Sequence, residues 1–325
     1  MHKKFILALS TAVLAISGSK KTYAQADGDF IERQNWSIGI TAGTTDLWGD
    51  VGTKNLLDHY LNEKYLQNYT KPMVGLFARR TFHPSFSVRG SFNYGILSAG
   101  DDMNINLAKK ADKYESDEVQ RYQRNLNVKT QVAEASLMLE ISPFRFSTGS
   151  LSRWAHMSFQ PYLMVGISGY YFNAQGLFNS REGKHVLNGN WIDLYDLHIE
   201  GDGWAETGIK KYSKYQIAIP MGIGAKWDLS PKMTLGLEYT YRYCMTDYLD
   251  GVSAQYIDPK YYDKYLSSSN AAIAREMADK SWQLDPSKYH QPGEMRGNKK
   301  GSDGFSTISV ILYYKFKPRN KMWWQ

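Results

Sequence analysis

With 325 residues the chain can hold one large domain or two small ones, and its formal charge of +7 rests on 39 Lys and Arg against 32 Asp and Glu. No run of about 18 apolar residues occurs, which excludes a membrane-spanning helix, and the single cysteine, Cys244, excludes an intramolecular disulfide. Mean hydropathy is only −0.49, yet 14% of the residues are aromatic, with 24 tyrosines and 9 tryptophans. That combination suits a transmembrane β-barrel, in which only alternate residues meet lipid.

The first element in chain order is expected to be removed. Lys3 and Lys4 precede an apolar run from Phe5 to Ile16, and small residues around Ala24 and Ala26 offer cleavage points. Residues 1–26 therefore read as a secretory signal peptide and 27–325 as the mature barrel. No cysteine lies at the cleavage point, which argues against a lipoprotein. The segment takes four lysines with it and leaves 35 basic against 32 acidic side chains, a balance of +3. So small a charge on an exported chain argues against a nucleic-acid partner.

Eight segments then alternate apolar and polar residues with period two, the pattern of strands. The apolar faces run through Trp36, Ile38, Ile40 and Ala42; Val74, Leu76 and Ala78; Phe86 to Ile96; and Gln131 to Ile141. They continue through Phe159 to Tyr171, Tyr215 to Trp227, Met233 to Tyr243, and Ile308 to Phe316. The opposite faces carry Arg89, Glu134, Glu140, Lys226, Glu238, Arg242 and Lys315 among glycines and hydroxyls. A closed eight-strand antiparallel barrel places such a face in its lumen, where opposite charges pair and glycine relieves crowding. Trp36, Trp227, Tyr241, Tyr243 and Phe316 fall near strand ends on the apolar face, as interfacial girdles do.

Connection lengths alternate as this topology requires. The long ones are 46–72, 98–128, 173–213 and 246–304, and the shorter ones are His83–Ser85, 143–157 and Ser230–Lys232. Outer-membrane barrels keep short turns in the periplasm and long loops outside, so both termini are expected to be periplasmic. Pro220 interrupts an otherwise clean strand and reads as a bulge or a bend.

Chemistry-bearing motifs are scarce. No Gly-x-Ser-x-Gly and no His-Glu-x-x-His occurs. His59, His185, His198 and His290 fall in loops, His83 in a turn and His156 just before the fifth strand. Cys244 reads as a small strand filler. Asp247, Asp250 and Asp258 have oxygens for Ca²⁺ but lack a twelve-residue loop of the EF-hand type; capping turns or pairing with Arg242 or Arg124 is the plainer reading. Glu200-Gly201-Asp202-Gly203 and Asp303-Gly304 read as turns, and Lys260–Lys264 and Ala271–Lys280 as short helices. Neither cofactor nor metal is expected.

Several strand-end strings go beyond patterning. Leu47-Trp48-Gly49-Asp50, Tyr94-Gly95 with Asp101-Asp102, and Arg124-Asn125-Leu126 come first. Pro161-Tyr162 with Tyr171-Phe172-Asn173, Trp191 with Leu194, and Glu200-Gly201 follow. Ile219-Pro220-Met221-Gly222-Ile223-Gly224 then leads to Thr246-Asp247-Tyr248-Leu249-Asp250-Gly251-Val252-Ser253. In this order they resemble the PorG-like outer-membrane proteins of the Bacteroidota, with Gly251 standing where that family usually has a second Asp. The resemblance implies an eight-stranded barrel associated with type IX secretion, whose partners are a periplasmic ring lipoprotein and its partner subunit. It marks Gly49, Asp50, Asp101, Arg124, Asn125, Thr246, Asp247, Tyr248, Leu249 and Asp250 as the family motif.

The expected function is therefore a non-enzymatic outer-membrane barrel, in contact with outer-membrane lipids, that anchors or assists the type IX machinery. It would reach its partners through the 143–157 turn or the tail from Lys317 to Gln325, which carries charge and two tryptophans. An enzyme at the outer rim and a surface adhesin or ligand-binding barrel are the other classes, the last using Tyr256, Tyr261, Tyr262 and Tyr265 with their lysines. Those tyrosines serve equally well to order the loop.

Overall fold

The computed structural model describes residues 36–316 except 84, 111–115, 145, 148–157, 182, 184, 231, 299 and 300. The expected signal peptide, most of the 143–157 turn and the tail from Lys317 lie outside the described residues.

Eight long strands follow one another: β1 (Trp36–Trp48), β2 (Lys71–His83), β3 (Phe86–Gly100), β4 (Asn127–Ile141), β5 (Ser158–Leu177), β6 (Tyr215–Asp228), β7 (Met233–Cys244) and β8 (Gly304–Lys315). Each pairs antiparallel with its chain neighbours, and β1 pairs with β8 from Ser37↔Lys315 to Trp48↔Gly304. β4 pairs with β5 from Val128↔Gly176 to Ile141↔Leu163. The ring therefore closes without a free edge, and the protein is an eight-stranded antiparallel barrel. Short connections and both ends of the barrel chain lie at one end, the terminal end; the long connections lie at the other, the loop end.

The period-two pattern becomes two walls. Outward-facing Leu76, Leu137, Ile167 and Ile223 are 64%, 56%, 58% and 58% exposed, while inward-facing Phe77, Met138 and Ser168 are buried. Exposed aliphatics recur around the wall, a surface unsuited to water and suited to hydrocarbon. This is a transmembrane barrel of the outer-membrane type.

Several strands outrun the alternation that announces them. β1 continues to Trp48, β4 starts at Asn127 and β5 reaches Leu177. Beyond the apolar belt, β4 and β5 keep pairing but turn Lys129, Gln131, Asn173 and Gln175 outward, so the apolar signature ends before the ladder does. His83, expected in a turn, is the last residue of β2. Pro220 is not a bulge. The β5–β6 ladder breaks between Val165↔Met221 and Ser168↔Ala218 and resumes in the same register, because proline removes a donor without adding a residue. The register shift occurs instead between Thr81 and His83. Gly224 faces inward, where a Cβ would stand 2.5 Å from the ring of Tyr162; the glycine makes room for that ring.

If the exposed belt meets lipid, Leu76→Arg should destabilise the barrel by about 2–4 kcal/mol when it lies near the bilayer midplane. Val186→Arg, in a loop at a site 93% exposed, should leave stability unchanged. Urea-driven unfolding of both variants in lipid vesicles measures the difference.

Candidate functional site

Two polar clusters sit above one another, one in the lumen and one in the loops. At the terminal end Lys315 Nζ lies 2.6 Å from Asp228, which also accepts from Thr234 at 2.7 Å. The next layer centres on Glu140, which takes Arg79 Nε at 2.8 Å and Arg89 Nε at 3.3 Å, with Lys226 Nζ at 3.9 Å. Arg89 Nη1 donates to Glu238 at 2.5 Å, and the Tyr162 hydroxyl donates to the same carboxylate. Nearer the loop end Arg242 Nε meets both oxygens of Glu134 at 3.1 Å, and Asn93 donates to Glu134 at 3.1 Å. The cations also lie over aromatic faces: Arg89 over Phe77, Arg79 over Tyr313, Lys226 over Tyr162 and Arg242 over Phe305.

The structure thus places all seven lumen residues named from sequence on the inner wall, each beside an opposite charge. Arg79, which alternation places on the inward face with Gly75 and Phe77 but which is not among those seven, joins the network through Glu140. Around Arg89, Asn93, Glu238 and Arg242 the remaining cavity measures about 30 Å³, room for a water or two and not for a solute. At this level the lumen is packing, not a conduit.

The loop cluster ties all four long connections together. Helix α1 (Asp117–Arg124) ends at Asn125, whose φ of 56° is a left-handed conformation that asparagine tolerates. That cap points Arg124 into the cluster, where Nε and Nη2 each meet Asp101 at 2.9 Å. Nη2 also reaches the Asp50 carbonyl at 2.7 Å, and Nη1 the Arg296 carbonyl at 2.5 Å. Asp101, fully buried, accepts from the backbone N–H of Gly52 and Leu126 at 3.0 Å. Asp250 accepts from Val51 at 2.8 Å and Val252 at 2.9 Å. Glu200 accepts from Ala254 at 2.8 Å and from Arg296 Nη1 at 2.8 Å. Asp303 accepts from Leu249 at 2.8 Å, and Asp50 from Asn298.

This corrects several readings of the sequence. Arg124 pairs with Asp101 and Arg242 with Glu134, not with Asp247 or Asp250, while Asp250 caps its own turn through the Val252 N–H as the other alternative expects. Glu200 and Asp303 are buried acceptors that hold the fourth loop, not plain turn residues. Tyr256 and Tyr262 are buried at 5% and 1% exposure; Tyr265 stays open at 39%. Gly49 is packed beside Asp250 and Asp303, and Tyr248 stacks on Tyr212 with ring centroids 4.5 Å apart. Thr246 takes the Tyr248 N–H at 3.2 Å. Gly251 has φ of +73°, and a Cβ there would lie 2.5 Å from Leu194, so an Asp at this position would be strained. His59, read as a loop residue, is buried with Nδ1 2.6 Å from Asp46, beneath a Trp48 ring stacked at 4.0 Å.

Among the described residues no group of three His, Cys, Asp or Glu is arranged to hold an ion. Burial, reinforced by Asp50 and Asp250, pushes the Asp247 carboxyl up to about 8. Asp250 is pushed up to about 7 by burial and by Asp50, and Asp303 rises well above the usual carboxylate range through burial and Asp250. Two cavities of about 650 and 640 Å³ open in the cap, and they share Tyr256, Met295 and Gly297. Oriented polar groups around spaces of this size can bind a small ligand or a partner's side chains.

A family model described as "Domain of unknown function (DUF6089)" matches residues 26–190 and 195–265. Among curated proteins none matches. Solved barrels resemble the chain only loosely. Neisserial surface protein A is 11% identical, covers 87% of this chain and 97% of its own, and has a TM-score of 0.34. Ail of Yersinia pestis, in complex with the heparin analogue sucrose octasulfate, is 10% identical over 87% of this chain and 99% of its own, with a TM-score of 0.32. A major outer-membrane protein of Thermus thermophilus is 10% identical, with coverage of 86% and 99% and a TM-score of 0.32. Scores this low say nothing about function.

Two outcomes follow from the clusters. Glu140→Ala leaves Arg79 and Arg89 facing each other in the lumen and should cost about 3–5 kcal/mol in urea unfolding, the usual loss when one partner of a buried ion pair is removed. The cap should tighten as pH falls. Asp247 holds its proton more firmly in the folded cap than its ordinary value of 3.8 would allow, so stability is lost as pH rises from 3.8 towards 8. Hydrogen exchange of residues 246–254, corrected for intrinsic rates, should be slower at pH 5.5 than at pH 8.5. Asp247→Asn should shrink that difference, with Asp250 and Asp303 supplying the remainder.

Proposed function

The chain belongs to the family described as Domain of unknown function (DUF6089), and from that premise we propose that it serves as a non-enzymatic binding platform of the outer membrane. In this reading the barrel is the anchor, the loop end faces the cell exterior and the locked cap is the working surface. One observation carries it. Four connections that could have been independent loops are joined by the buried contacts of Asp101, Arg124, Asp250, Glu200 and Arg296, over a lumen with no room for a solute. Binding to a preorganised surface avoids the ordering cost that mobile loops incur. The cavities beside Tyr256 and the exposed Tyr289 and Met295, 53% and 68% open, supply the contact area.

The second reading is an anchoring or accessory subunit of the type IX machinery that touches its periplasmic ring. The resemblance described above supports it, and so does the 63% exposure of Phe144 just beyond β4 at the terminal end. The two readings use opposite ends of the barrel, so one experiment separates them. A photo-crosslinkable residue is placed at Tyr289 in one variant and at Phe144 in another, and both are irradiated in intact cells. Discrete adducts from position 289 alone are the expected result. Adducts from position 144 alone, containing a periplasmic lipoprotein, would replace the platform with the secretion subunit.

A further inference from the structure

The outer wall between β4 and β6 changes character over a few residues. Tyr94, Ala133, Tyr171 and Tyr215 lie on one register row that crosses β3, β4, β5 and β6. The three tyrosines are 47%, 36% and 74% exposed, and the wall on their terminal side is aliphatic. Tyrosines on such a boundary mark the level where hydrocarbon meets headgroups. Two residues further along the strands, about 7 Å, the outward pair is Gln131↔Asn173; two further still, it is Lys129↔Gln175.

Lysines converge on this polar row. Lys214 Nζ donates to Asn173 at 2.8 Å and lies 4.5 Å from the Tyr195 ring, with Lys211 Nζ 4.2 Å from the same ring. Lys129 Nζ stands 5.9 Å from the Trp191 ring. Some exposed loop lysines elsewhere do have carboxylates, as Lys54 has Asp117, Lys64 has Asp102 and Lys264 has Glu206. Among the described residues no carboxylate pairs with Lys129, Lys211 or Lys214. The nearby Asp193 is held by the amides of Asn173 and Gln175 at 2.8 and 2.7 Å.

We propose that Lys129, Lys211 and Lys214, flanked by Tyr195 and Trp191, form a seat for the phosphate groups of a membrane lipid headgroup in the leaflet at the loop end. Three cations without counter-ions stand just beyond an aromatic boundary, where lipid phosphates supply the missing charge. The aliphatic wall below Tyr171 and Tyr215 takes the acyl chains of the same molecule. Each lysine holds its ammonium beside an aromatic ring, Lys129 at Trp191 and Lys211 and Lys214 at Tyr195, on the loop side of the tyrosine row. The surface is separate from the cap cavities and does not depend on what the cap binds.

The test uses the folded full-length barrel in zwitterionic micelles. It is titrated with bis-phosphorylated lipid A and with the same lipid stripped of phosphate, and bound lipid is counted by native mass spectrometry. The wild type should retain the phosphorylated lipid and not the stripped one. The triple variant Lys129→Gln, Lys211→Gln, Lys214→Gln should retain it on the order of a hundredfold less well, at the usual contribution of a basic residue near an anionic surface. Heat-modifiable migration on gels shows that the variant is folded. Lys232→Gln, at the terminal end, should behave as wild type. Equal retention by the triple variant, equal retention of the stripped lipid, or displacement by millimolar inorganic phosphate would each overturn the headgroup seat.

Discussion

Closure of the ladder between β1 and β8, the first and last strands, is the constraint from which the rest of the barrel follows. In hydrocarbon an unpaired backbone N–H or C=O has no water to turn to, so a membrane sheet must end on itself. Eight strands close on a narrow interior, and side chains that alternate inward must fill it. Charge placed there cannot stay unpaired, and the interior accordingly repeats one device: a guanidinium or ammonium beside a carboxylate and over an aromatic face, as with Arg89, Glu238 and Phe77. Pro220 measures the tolerance of the arrangement. One ladder donor is lost towards β5, and the register runs on unshifted because both flanking stretches remain paired.

The cap solves the same problem without a ladder. Its segments are short helices joined by irregular turns, so buried N–H groups outside the helices must find side-chain acceptors. Asp101, Asp250 and Glu200 each take two from neighbouring connections or from their own turn. Arg124 and Arg296 serve the carbonyls of Asp50, Gly251 and Ala278. Beneath this layer Leu47, Leu97, Val128, Phe172 and Phe305 of the strand ends share one apolar cluster with Val51, Leu126, Leu249 and Val252 of the loops. The cap core is therefore continuous with the barrel rim, and loosening either would expose the other.

How much of this the sequence discloses depends on periodicity. Inside the membrane the period is two and each face has one solvent, so strand number, inward charges and the order of long and short connections are all legible. The signal stops where the solvent stops being lipid: the outward Lys129, Gln131, Asn173 and Gln175 belong to strands that no longer look amphipathic. Arg79 falls on the inward face of β2 by the same alternation, and its partner Glu140 on β4 is what periodicity leaves unstated. Glu200 and Asp303 escape for a different reason. Glycine beside an acid is the mark of a turn, and nothing local reveals that the acid serves a segment 53 or 54 residues away.

The strings that carry the family resemblance change meaning once they are placed. Asp50, Asp101, Arg124, Leu249 and Asp250 are buried and engaged with backbone or with one another. Residues so occupied have few hydrogen-bond positions left for a ligand. They report how the cap is locked, whatever it binds. The proposed surface partner would instead read the side chains left open above them, among them Tyr265, Tyr289 and Met295. Chains that share the lock can therefore differ in the residues open above it, so a match over the lock speaks to how the cap is held together.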